Sequence, residues 1–109
     1  MSIKSYTFKN GLKFVYQKNK NALSSINIFV KVGSINEPPH LNGVSHFIEH
    51  MAFKGTDELP TSDVISQIFD SVGAYINAAT LIDHTFYTAK CDSDYLELCI
   101  ETLLDMIFN

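Results

Sequence analysis

The chain has 109 residues, 46% hydrophobic and 18% charged, with a formal net charge of −4. That is the balance of one modest globular domain with a single core, neither disordered nor fibrous. The acid excess leaves no basic footprint for nucleic acid or an anionic membrane, and no apolar run approaches the roughly 18 residues of a membrane-spanning helix.

The N-terminal "MSIKSYTFKNG" has neither an apolar signal core nor an Arg-rich amphipathic stretch, and strand-like sequence begins almost at once. "YTFKNGLKFVYQK" reads as two short strands around Asn10-Gly11, a pair in which both residues tolerate positive φ and so favour a hairpin. "SINIFVKV" alternates: Ile26, Ile28, Val30 and Val32 face one way, Asn27, Phe29 and Lys31 the other. Phe29 predicts some cover on the second face. "GSINEPPHLNG" is a loop by its Gly, Asn and Pro content.

A helix is predicted from about Val44 to Phe53, stopping near Gly55. "ELPTSD" is a turn and a second helix start, with Thr61 or Ser62 as N-cap. Val64, Ile65, Ile68, Phe69 and Val72 form that helix's apolar face, and Gly73 closes it. "AYINAAT" and "HTFYTAKC" are two more strands joined around Leu81–Asp83. A last helix after "DSD" places Leu96, Cys99, Ile100, Leu103, Met106 and Ile107 at helical spacing. The order β-β-β-α-α-β-β-α implies an α+β fold, a mixed sheet with helices packed on it. The chain stops at "LLDMIFN", still in apolar helical pattern.

Cys91 and Cys99 have neither CxxC spacing nor a disulfide framework. Cys99 lies on the apolar stripe and reads as a buried free thiol, a usage that suits a reducing, intracellular compartment. His40, in a Pro-rich loop, and His84, at a strand start, read as surface histidines. The scattered Tyr and Phe read as core rather than as stacking platforms.

The chemistry concentrates in "GVSHFIEHMA", where His46, Glu49 and His50 form His-x-x-Glu-His. A helix turns about 100° per residue, so with His46 at zero Glu49 falls near 300° and His50 near 40°. The two His, at i and i+4, lie one turn apart and can share a metal. Val44, Phe47, Ile48, Met51 and Ala52 occupy the opposite side, which is expected to pack. Neutral imidazoles suit zinc, and Glu49 is placed to hold a zinc-activated water and move its proton. A third protein ligand has to come from elsewhere. The plain alternative is three polar residues on a solvated helix face.

His-x-x-Glu-His is the inverzincin signature. The longer "NGVSHFIEHMAFKGT" resembles the active-site segment of the pitrilysin/insulinase-type zinc metallopeptidases, above all the branch of the mitochondrial processing peptidase β subunit and its half-size bacterial relatives. "NGLKFVYQ", "VGSINE" and "VGAYINAATLIDHTFYTAK" fall in that family's order, so the resemblance spans nearly the whole chain. It implies a zinc-dependent endopeptidase with one Zn2+ per site, His46 and His50 as ligands and Glu49 as general base. It also implies a peptide substrate added as a strand along Tyr75–Thr80, with Asn77, Ala78, Ala79 and Thr80 as binding residues.

The family's third ligand is a Glu expected beyond Asn109; Glu97 and Glu101 come too early to match it. The resemblance therefore makes residues 1–109 the N-terminal part of one peptidase domain, incomplete by itself and silent alone. It also implies a second similar domain or a partner subunit that completes the enzyme. The alternative is a non-catalytic structural or interaction relative, or an inactive fragment, of the same fold.

Overall fold

The structure, a computed structural model, describes residues 3–109. Strands β1 (Ile3–Thr7) and β2 (Lys13–Gln17) form the predicted hairpin. Gly11 takes φ +92°, and Phe8 N–H and Gly11 N–H close the turn on Leu12 O and Phe8 O. Both strands are exposed along their length, so this ribbon contributes nothing to the core.

The core is built on a second sheet of β3 (Leu23–Val30), β4 (Tyr75–Thr80) and β5 (Thr85–Asp92), ordered β3-β5-β4. Between β3 and β4 the chain forms α1 (Val44–Ala52) and α2 (Ser62–Ser71); after β5 it forms α3 (Leu96–Phe108). Thr61 is the N-cap of α2, its hydroxyl accepting Val64 N–H at 3.2 Å, and Gly73 takes φ +66° just past the helix end.

The fold is α+β as expected, but the sheet is not mixed. β3 and β4 run parallel to each other, as two strands linked through helices should, yet they never pair. The tight β4–β5 hairpin puts β5 between them, antiparallel to both, so each ladder among the described residues is antiparallel. Strand order depends on which slot a hairpin fills, and strand patterns do not encode that.

One face of this sheet is covered. Tyr87, Ala89 and Cys91 of β5 pack with Ile65 and Phe69 of α2 and Cys99, Leu103 and Met106 of α3. Ile26, Ile28 and Val30 flank them from β3, Ile76 and Ala78 from β4. Both cysteines are buried free thiols, and burial, then the contact with Cys91, pushes Cys99 up to about 11, which leaves it neutral and unreactive. The other face stays open. Phe29, expected to be covered, is 65% exposed, its ring 6.1 and 5.9 Å from those of Phe86 and His84.

The loop after β3 is fastened to the turn after β4. Ser34 N–H donates to Leu81 O (3.1 Å), Ile35 N–H to Ile82 O (2.8 Å), and the Thr85 hydroxyl to Val32 O (2.8 Å). Gly33 sits at the tightest point: a Cβ there would lie 2.4 Å from Leu81 O and 2.5 Å from Ile82 O. Those are backbone atoms that cannot swing away. Gly33→Ala is therefore expected to destabilise the fold by about 1–3 kcal/mol, read from the denaturant midpoint.

Candidate metal centre

Helix α1 carries all three motif residues in nine positions. His46 Nε2 and His50 Nε2 are 2.7 Å apart, a hydrogen-bonding distance between two imidazoles of different tautomeric role. Ligand atoms of His46, Glu49 and His50 all lie within 4.8 Å of one another, the only such group of His, Cys, Asp or Glu among the described residues. Tetrahedral zinc with Zn–N of about 2.0–2.1 Å sets its nitrogens about 3.3 Å apart. The imidazoles need to part by only about half an ångström to fit that. The donor set therefore suits zinc.

The environment of the helix differs from the sequence expectation. Phe47, Ile48 and Met51 were expected to pack, but they are 63%, 59% and 48% exposed. The buried stripe is Ser45 and Glu49, with Ala52 partly buried beside them. Polar anchors turn this stripe inward. Ser45 N–H donates to Glu37 Oε2 at 2.7 Å, the Ser45 hydroxyl reaches Gly33 O at 3.4 Å, and the Thr80 hydroxyl donates to Glu49 Oε2 at 2.5 Å. A buried carboxylate has to be hydrogen-bonded, so Thr80 decides which way Glu49 faces. His46 and His50 stay exposed at the edge of the stripe.

A cavity of about 450 Å³ lies against this helix, lined by Ser34, Glu37, Asn42, Gly43, His46, Glu49, Ala78, Ala79 and Thr80. It brings the first His and the Glu of the motif to the end of β4. Among the substrate-binding residues expected from the sequence, Ala78, Ala79 and Thr80 line it; Asn77 does not. Asn77 is exposed, its Nδ2 donating to the Tyr75 hydroxyl (3.1 Å) and its Oδ1 accepting Ala78 N–H (2.8 Å).

Two residues of this neighbourhood carry no signal in the motif. Glu37 accepts Gly43 N–H at 2.8 Å as well as Ser45 N–H, and these bonds, Gly43 first, hold its carboxyl below the ordinary carboxylate range. A depressed pKa means the interaction stabilises above the unfolded value of about 4.3 and is lost as pH falls through the lower folded value. Tyr87 is the other: burial, then the nearby Glu49 charge, push its phenol up, so it stays neutral beside the site.

A profile of the insulinase family, peptidase family M16, matches residues 13–109. The chain belongs to that family. The M16 relatives include an uncharacterized zinc protease of Bacillus subtilis, YmxG, 38% identical over 108 residues, 98% of this chain and 26% of YmxG. The β subunit of the mitochondrial processing peptidase of Dictyostelium discoideum is 33% identical over 103 residues, 94% of this chain and 22% of the subunit. The crystal structure of a protease from Helicobacter pylori superposes with a TM-score of 0.90 at 31% identity, over 96% of this chain and 25% of that one. The chain thus spans about a quarter of the length of the M16 proteins it matches.

Thr80→Val tests the polar anchoring. Removing the hydroxyl leaves the buried Glu49 Oε2 without its donor. The expected cost is about 1–3 kcal/mol of stability, measured by denaturant unfolding.

Proposed function

We propose that this chain carries the zinc-binding helix and the general base of a zinc-dependent endopeptidase. Residues 1–109 are, on this reading, the N-terminal part of one M16 peptidase domain. The observation that carries the reading is the convergence of the His46 and His50 Nε2 atoms beside a buried, hydrogen-bonded Glu49.

His46 and His50 hold the metal. Zinc, when bound, supplies Lewis-acid chemistry and makes water acidic enough to be a nucleophile near neutral pH. Glu49 orients the water and takes its proton. Thr80 occupies Oε2, so the proton goes to Oε1. Replacing Glu49 by Gln keeps the shape but removes the base. In the full-length protein, Glu49→Gln is expected to retain stoichiometric zinc with hydrolysis reduced at least about a hundredfold. His46→Ala and His50→Ala are expected to lose the metal. Zinc analysis and a peptide-cleavage assay read both; near wild-type cleavage by Glu49→Gln would remove Glu49 from the role.

The peptide adds as a strand to the free edge of β4. This edge is unpaired among the described residues and its end lines the cavity with His46 and Glu49. Backbone direction alternates along the strand. Leu81 N–H points towards the hairpin, bonding His84 O, whereas Ala78 N–H is capped by its neighbour Asn77. Residues 76, 78 and 80 therefore offer their backbone to an incoming peptide, and Ala79 faces β5. A substrate strand takes over the Ala78 N–H from Asn77 Oδ1. Ala78→Pro is expected to weaken peptide binding about tenfold or more while zinc occupancy stays full, whereas Ala79→Pro breaks the β4–β5 ladder instead. Unchanged peptide affinity in a folded Ala78→Pro protein would exclude this edge.

A second M16-type domain, or a partner subunit, closes over the bound peptide. The chain's share of its relatives' length supports this, as does one relative's designation as a β subunit.

A further inference from the structure

Helix α1 has only nine residues, fewer than a helix needs to persist alone in water. Its ends matter more than usual, because the two His occupy them. His46 lies in the first turn and His50 in the last. The N-cap is Gly43, at φ +91°, which has no side chain to cap with, and no acidic residue lies in the first turn. The first N–H groups of the helix need an acceptor from elsewhere.

Glu37 is that acceptor. Its two oxygens divide the work, Oε1 taking Gly43 N–H at 2.8 Å and Oε2 taking Ser45 N–H at 2.7 Å. Its own backbone is locked as well. Glu37 N–H donates to Ser34 O (3.2 Å), and Ser34 and Ile35 are hydrogen-bonded to Leu81 and Ile82 just past β4. Thr80, the last residue of β4, reaches back to Glu49. The same junction of loop and turn therefore grips α1 at two points along its buried stripe.

We propose that Glu37 is a positioning residue for the metal helix: by bridging the Gly43 and Ser45 amides it clamps the first turn of α1 to the sheet and keeps His46 in register with His50. The inference rests on the zinc reading of that pair. A carboxylate at a helix N-terminus interacts favourably with the helix dipole, which strengthens the clamp. Without it the first turn frays and His46 leaves the position in which both Nε2 atoms converge.

The test is made on the full-length protein, at a temperature where every variant is folded by circular dichroism. Zinc affinity is measured by chelator competition, and the ligand-field spectrum with Co2+ in place of zinc. Glu37→Ala is expected to weaken zinc roughly 10- to 100-fold and to change the Co2+ spectrum, with Glu37→Gln, which keeps one acceptor oxygen, in between. Thr61→Ala is the control. It removes the cap of α2, lowers the melting temperature, and is expected to leave zinc affinity and spectrum unchanged. Glu37→Ala binding zinc within about twofold of wild type, with the same spectrum, would overturn the proposal; so would an equal zinc loss in Thr61→Ala. A wild-type protein that binds no zinc overturns the zinc reading itself. Amide exchange separates the two failures: Gly43 and Ser45 amides should exchange faster in Glu37→Ala than in wild type whether or not metal binds, and equal rates would remove the clamp.

Discussion

A helix of nine residues does not hold its shape unaided, and here one such helix carries the three candidate metal-centre groups found among the described residues. Its C-terminal end packs on the core through Ala52 and Phe53, and the rest of its buried stripe is held by polar contacts. Glu37 takes its first amides and the Thr80 hydroxyl takes Glu49, and both are fastened to the same end of the three-stranded sheet. The core of Phe69, Cys99 and Leu103 lies mainly under α2 and α3, and α1 meets it through Ala52 and the C-cap Phe53 at its far end. The fold thus separates two tasks. An apolar core makes the sheet rigid, and a short hydrogen-bonded chain transfers that rigidity to two histidines.

Much of this was legible in the residues. Asn10-Gly11 marks a hairpin because Gly11 adopts positive φ, and Gly73 marks a helix end for the same reason. Thr61 announces α2 because its hydroxyl satisfies an orphan amide. The i, i+4 spacing of His46 and His50 is a matter of helical geometry and survives any packing. The orientation of α1 was less legible. Hydrophobic spacing locates an apolar stripe but not whether the chain's own sheet covers it, and Phe47, Ile48 and Met51 are exposed while Glu49 is buried. Glu37 was invisible for a related reason: it sits in a Pro-rich loop six residues before the amide of Gly43, with no periodicity to mark it. The antiparallel pairing of β5 between β3 and β4 was likewise a matter of tertiary choice.

The M16 match and the geometry bear on different questions. The family match over residues 13–109 sets the fold and the zinc protease lineage. The geometry distinguishes the residues within the motif: two exposed imidazoles in contact with each other, and one buried carboxylate with a single oxygen already engaged. One Glu49 oxygen is bonded to Thr80 while both imidazoles are exposed, an asymmetry that supports the proposed division into two ligands and a base. Among the described residues no helix is long and apolar enough to cross a membrane.

Zinc K-edge absorption spectroscopy of the full-length protein, wild type and His50→Ala, tests the central assignment most directly. The expected wild-type result is two imidazole nitrogens at about 2.0–2.1 Å, completed by oxygen, with one imidazole lost in any zinc the variant retains. A sulfur shell near about 2.3 Å, or an imidazole count unchanged by the substitution, would contradict it.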